Sequence, residues 1–177
     1  PKPSSAASDV YKRQEINIVT DKDRAELVIT VPEDHKLHML NASSISGDSS
    51  LENLKLEALM GFAVSGDLDL KKVEVEDAKL TTTSGDIDFI NVIVNHGKVK
   101  LTSGDFKMKN SEVGDELRVS TTSGDTLVEN TKVAQYQLST LSGDNSLFGK
   151  RGTATQIGNE NDKSRLILST LSGDNTV

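Results

Sequence analysis

Ser-Gly-Asp recurs seven times in this chain, at 46–48, 65–67, 84–86, 103–105, 123–125, 142–144 and 172–174. Each copy brings a hydroxyl, a carboxylate and a residue without a side chain. Stacked at constant spacing, Asp48, Asp67, Asp86, Asp105, Asp125, Asp144 and Asp174 would form an acidic ridge. A carboxylate ridge suits calcium, which takes several oxygen ligands. Two carboxylates about 4.8 Å apart repel by roughly 0.9 kcal/mol in water and about four times that at an effective dielectric of 20. Such a ridge is tolerable in solvent and needs cations or donors when buried. The competing reading is a backbone corner. Gly47, Gly66, Gly85, Gly104, Gly124, Gly143 and Gly173 reach left-handed angles without a Cβ penalty. Ser and Asp side chains bond nearby backbone groups and hold tight turns. Calcium-binding β-roll repeats are glycine-rich nonapeptides, whereas this unit has one glycine and a longer period. The sequence therefore favours the corner, with no cofactor expected and calcium as the metal the ridge would suit.

Other reactive groups are scattered. His35, His38 and His96 share no repeated column and are expected on the surface. Ser123 and its equivalents have no histidine in register, which leaves nucleophilic catalysis without a base. The pairs in "DLD" (67–69) and "DID" (86–88) read as solvating charges on a polar strand face. The Thr columns before the turns offer a flat hydroxyl array of the ice-binding kind, but many Thr residues simply reflect strand propensity. No catalytic residue and no metal ligand set is expected, and the chain reads as a non-enzyme.

The element that positions the seven corners is a repeat. The glycine spacings are 19, 19, 19, 20, 19 and 30. Four residues after each glycine stand Leu51, Leu70, Phe89, Met108, Val128, Leu147 and Val177, all apolar. Nine after it stand Leu56, Val75, Val94, Val113 and Val133. Five before it stand Ala42, Gly61, Leu80, Val99, Val119, Leu138 and Leu168. Six after it are Asn53, Asn91, Asn110 and Asn130, with Lys72 as the exception, a column expected to form a side-chain amide ladder. Apolar and polar residues alternate within each unit, the period of a strand. One such unit cannot bury its apolar side, but stacked units can. The spacing predicts an all-β, parallel β-solenoid, a single-stranded β-helix of about seven 19-residue coils, each strand pairing with its equivalent one coil away. At about 4.8 Å per coil the rod would be on the order of 34 Å long. An antiparallel meander or sandwich also alternates, but it does not explain one tripeptide at near-constant spacing.

Residues 1–14 lack this pattern, and "SSAASDVYKRQ" resembles translated adapter sequence, so they are set aside as a tail. Residues 15–40 are expected as N-terminal strands leading into the repeats, and 41–177 as the solenoid. The chain stops partway through a repeat, and the natural protein is expected to continue at both ends. The last spacing holds about 11 extra residues. The segment 149–164, with Lys150 and Arg151, should bulge from the rod as a candidate binding loop.

Composition bounds the partners. Net charge is −7, or −9 once the +2 of the tail is removed, so nucleic acid is not expected. Aromatics are 3% with no Trp, which argues against stacking platforms for bases or sugars. Cysteine is absent, so neither disulfides nor thiolate metal sites exist. No run of about 18 apolar residues occurs, so no membrane-spanning helix is expected.

"AELVITVPEDHKLHMLNASSISGD" at 25–48, followed by TTSGD-type repeats, resembles a bacterial β-strand-repeat family of adhesin domains of unknown function, related to domains of Lia-type cell-envelope stress proteins. The resemblance covers about 25–177 and implies a non-enzymatic interaction module at the bacterial cell envelope or surface. Long acidic, polar faces would meet an envelope component, a cationic peptide or a protein partner. Two alternatives stand beside it: a scaffold that polymerises through open coil ends, and a polysaccharide-acting β-helix enzyme, which would need a cluster of cations and carboxylates on one face.

Overall fold

The computed structural model describes residues 15–20, 35–152, 154–158 and 163–177. The tail, the segment around Val31–Pro32 and part of the 149–164 segment lie outside the described residues. The chain forms a parallel β-solenoid, as the repeat requires. In chain order the strands are β1 (Glu15–Thr20), β2 (Lys36–Ser46), β3 (Ser49–Ser65), β4 (Leu68–Ser84), β5 (Ile87–Ile90), β6 (Ile93–Ser103), β7 (Phe106–Lys109) and β8 (Glu112–Ser123). There follow β9 (Thr126–Glu129), β10 (Gln135–Ser142), β11 (Asn145–Leu147), β12 (Lys150–Gly152), β13 (Ala154–Ile157), β14 (Arg165–Ser172) and β15 (Asn175–Thr176).

One turn of the coil has three sides. After Gly85, β5 runs straight to Asn91, a second straight run follows through Val94, and a bend near His96 leads into the long run to Ser103. Inward residues of successive turns stack, so Leu70, Phe89 and Met108 lie fully buried one above another. The Phe89 and Phe106 rings meet edge-on with centroids 5.3 Å apart, a favoured aromatic geometry. The one 20-residue spacing is absorbed at the bend. Val94 pairs with Val113 but His96 pairs with Glu116, so one extra residue is accommodated there.

The corner at the Asn column is also a backbone device. Asn53, Lys72, Asn91, Asn110 and Asn130 have φ between 49° and 56°. Asn visits this left-handed region more readily than other residues with a Cβ. The expected amide ladder is reduced to one long contact among the described residues, Asn130 Nδ2 donating to Asn110 Oδ1 at 3.4 Å. These five corners mark five complete turns, fewer than the seven expected, although seven Ser-Gly-Asp corners do stack.

The stacking order departs from chain order at one end. β8 pairs with β14, and β14 pairs with β10; likewise β9 pairs with β15, and β15 with β11. The last repeat therefore slides between the fifth and sixth. The described part of the segment between them does not bulge as expected. Its strands β12 and β13 lie antiparallel against β11 and β10, the outermost coil. Tyr136–Ser139 and Asn145–Leu147, much of the coil edge that end-to-end polymerisation would use at this end, are thus already paired.

A buried polar cluster accompanies the reordering. Two residues after the glycine the inward column reads Leu68, Ile87, Phe106 and then Thr126, Asn175, Asn145 in stacking order. Asn175 is fully buried. Its Oδ1 accepts from Thr126 Oγ1 at 2.6 Å and Thr170 Oγ1 at 2.8 Å. Its Nδ2 donates to Asn145 Oδ1 at 2.6 Å and to the Ser139 carbonyl at 3.0 Å. Four bonds converge on one amide, and they form only if coil 165–177 sits between its two neighbours.

Candidate functional site

The seven Ser-Gly-Asp copies meet in one ridge. A Cβ on Gly66, Gly85, Gly104, Gly124, Gly143 or Gly173 would fall 2.1–2.3 Å from the carbonyl oxygen of the neighbouring corner glycine. All seven corner glycines have φ between 100° and 140°. Glycine is needed here twice over, for the backbone angle and for the approach of the next coil. The carboxylates do not point together into an ion site. Asp48 Oδ1 accepts the backbone N–H of Asp67 at 2.9 Å, and Asp67, Asp86, Asp105, Asp125 and Asp174 each accept the next coil's Asp N–H at 2.7–2.9 Å. The ladder of six charge-assisted bonds straps the corners together. Among the described residues no group of three or more His, Asp or Glu is arranged to hold a metal. Ser-Gly-Asp is thus a corner of the coil, and its carboxylate is the strap.

The other sequence candidates are dispersed. Arg151, on β12, lies with Nη1 3.9 Å from Asp144 Oδ2, at the open end of the Asp ladder. Lys150 is exposed on the same strand. Both belong to the covering pair at the rod's end. His38 Nδ1 is 2.5 Å from Glu57 Oε2, and His96 Nδ1 is 3.2 Å from Asp115 Oδ2. The threonine column three residues before the glycines faces inward: Thr82, Thr121 and Thr170 are buried. That column forms no surface array; the exposed threonines Thr83, Thr102 and Thr122 stand in a neighbouring column. Asp88 is an acid perturbed by burial, one carboxylate oxygen being buried without a hydrogen bond. Burial holds its carboxyl above the ordinary range, with Asp69, Asp86 and Asp67 adding to the effect and Lys107 opposing it.

What sequence reading missed lies on the longest side of the coil. Its outward residues form three columns of seven. In stacking order these are Asn41, Met60, Lys79, Lys98, Arg118, Ile167 and Gln137; then Ser43, Phe62, Thr81, Lys100, Ser120, Ser169 and Ser139; then Ile45, Val64, Thr83, Thr102, Thr122, Leu171 and Leu141. The columns hold four cations and no carboxylate, in a chain with 27 Asp and Glu. The widest face is basic and apolar, not acidic as expected. The cationic cluster absent from the sequence reading does exist, assembled from three successive coils.

Charge on this face is unbalanced. Lys36, Lys55, Lys71, Lys107, Lys109 and Lys132 each have a carboxylate within 4 Å. Among the described residues none is found for Lys79, Lys98 or Lys100, although Lys79, Lys98 and Arg118 stand on successive strands. Like charges on neighbouring strands oppose folding. Arg118 grips Glu116 at the rim, Nε to Oε1 at 2.6 Å and Nη2 to Oε2 at 3.1 Å. That grip holds the Glu116 carboxyl below its ordinary range. A shallow groove of about 500 Å3 runs along the rim past Met60, Asp77, Lys79, His96, Lys98 and Arg118. A second, of about 450 Å3, shares Met60 and Lys79 and includes Phe62. The arrangement can hold anionic groups spaced along the rod, beside an apolar strip.

A family model described as Toastrack DUF4097 matches residues 10–177. No curated protein and no solved structure matched the chain.

Proposed function

The chain belongs to the Toastrack DUF4097 family, and we propose that it acts there as a non-enzymatic interaction module of the bacterial cell envelope, an adhesin-like rod that presents one flat face to an envelope component. The observation that supports this is the segregation of charge. Four cations and no carboxylate occupy the three outward columns of the long face, while the rest of the chain is strongly acidic. The solenoid holds these side chains in fixed rows at strand spacing, which suits recognition of an extended partner. The Asp ridge and the covered end are occupied in holding the rod together. The test is co-sedimentation of the full chain with isolated bacterial envelopes. Saturable binding that weakens when Lys79, Lys98 and Lys100 are replaced supports the reading. Absence of binding, or turnover of an acidic polysaccharide by the chain, overturns it.

A further inference from the structure

We propose that the long face binds the surface of an anionic lipid bilayer, with the lysines on headgroup phosphates and the neighbouring apolar residues in the interface. This rests on the reading of that face as the working surface, and it names the partner. Two independent features meet there. Lys79, Lys98 and Lys100 form a cationic group free of carboxylate partners among the described residues, in a protein whose net charge is −7. Directly beside them four apolar side chains are exposed together: Met60 at 43%, Phe62 at 48%, Val64 at 38% and Ile45 at 55%. Met60 is the strand partner of Lys79, Phe62 of Thr81, and Ala63 and Ser65 pair with Ser44 and Ser46 so that Val64 lies beside Ile45. The two patches form one continuous surface.

That combination selects among occupants. A soluble polyanion would satisfy the lysines and leave the apolar strip in water. An isologous contact with a second copy would bury the strip but set four cations against four, with no carboxylate in the columns to answer them. A bilayer surface offers a phosphate layer over an apolar layer, and a polybasic patch near anionic lipid gains severalfold in affinity per cation. The carboxylates nearest the lysines, Asp77 and Glu116, sit at the rim of the first groove; Glu116 is already held by Arg118.

The full chain is sedimented with phosphatidylcholine vesicles and with vesicles containing about one third phosphatidylglycerol. Binding to the anionic vesicles, weakened by raising salt from about 0.1 M to about 0.5 M, is expected. The triple variant Lys79→Glu/Lys98→Glu/Lys100→Glu should lose at least about 100-fold in affinity. Lys55→Glu/Lys132→Glu, on another side of the coil, should lose little. Phe62→Ser should weaken binding to vesicles but not to soluble inorganic polyphosphate. Circular dichroism checks that each variant keeps the fold, and the salt series on the unaltered chain needs no variant. Equal binding to neutral vesicles, no binding to anionic ones, or indifference to the triple reversal overturns the proposal. So does polyphosphate binding as tight as vesicle binding together with vesicle binding that ignores Phe62→Ser, which would make the occupant a soluble polyanion. Envelope binding that persists when vesicle binding fails removes the lipid inference alone. Loss of envelope binding with vesicle binding intact counts against the wider reading instead.

Discussion

Replacing Gly104 with alanine tests how tightly the coils are stacked. Gly104 has φ 137°, and a Cβ there would lie 2.2 Å from the Gly85 oxygen, 2.7 Å from its carbonyl carbon and 3.3 Å from Asp86 Oδ1. The backbone angle alone costs on the order of 1–3 kcal/mol for a residue with a side chain. Relief of the contact requires the coils to part at the corner. That stretches the bonds from Gly85 N to the Ser103 carbonyl at 3.1 Å and from Asp105 N to Asp86 Oδ1 at 2.8 Å, each contributing about 1 kcal/mol. The total is about 3–5 kcal/mol. Gly149→Ala is the internal control: φ is 78°, but no atom lies within 4 Å of the added Cβ, so only about 1–2 kcal/mol of backbone strain applies. Equilibrium urea denaturation of both variants, compared at equal m, reads the difference. If Gly104→Ala costs no more than Gly149→Ala, the corner is not a close-packed stack and the reasoning fails.

Other substitutions probe other parts. Asp105→Ala removes the acceptor for Asp125 N and should cost about 1 kcal/mol in a urea titration, while Asp105→Asn, which keeps an Oδ1, should recover most of it. Lys72→Asn, at a corner with φ 53° where the other four residues are Asn, should stabilise by a few tenths to about 1 kcal/mol. Asn175→Ala strands Thr126, Thr170 and Asn145 and should cost about 2–4 kcal/mol, whereas changing Thr126, Asn145 and Asn175 together to apolar residues should restore much of the urea midpoint. Asp88 is held above the ordinary carboxylate range in the folded chain, so folding takes up its proton and stability from this group rises as pH falls through the folded pKa towards about 4. Asp88→Asn should raise the urea midpoint at pH 7 and flatten that part of the pH profile.

The solenoid was legible because its core is a column property. Leu70, Phe89 and Met108 recur at one offset, and a period of 19 with alternating residues has few other solutions. The corner role of Ser-Gly-Asp was legible from glycine's freedom, although the strap from each carboxylate to the next coil's N–H was not: it depends on a neighbour 19 or more residues away. The coil order at the end was hidden because every Ser-Gly-Asp looks alike, so a strand-pairing rule cannot choose between 142–144 and 172–174 as the partner of 123–125. Thr126, Asn145 and Asn175 carried the available signal, three polar residues in a column otherwise filled by Leu68, Ile87 and Phe106. The basic face went unread because the inward columns were followed. Counting six, four and two residues back from each glycine would have placed Lys79, Lys98, Lys100 and Arg118 on one face. The Asn column was noticed for its amides, but its positive φ explains it, Lys72 included.

The most direct measurement is a thermal melt of the full chain by circular dichroism, first with millimolar calcium and then with excess chelator. Each Asp of the ridge below the last already holds a backbone N–H, so the midpoint should be the same in both. A ligand present at about 100 times its Kd would stabilise the fold by about 2.7 kcal/mol. A calcium-dependent rise in the midpoint of that size would show that the carboxylates form an ion ridge, and would contradict their role as the strap of the corner.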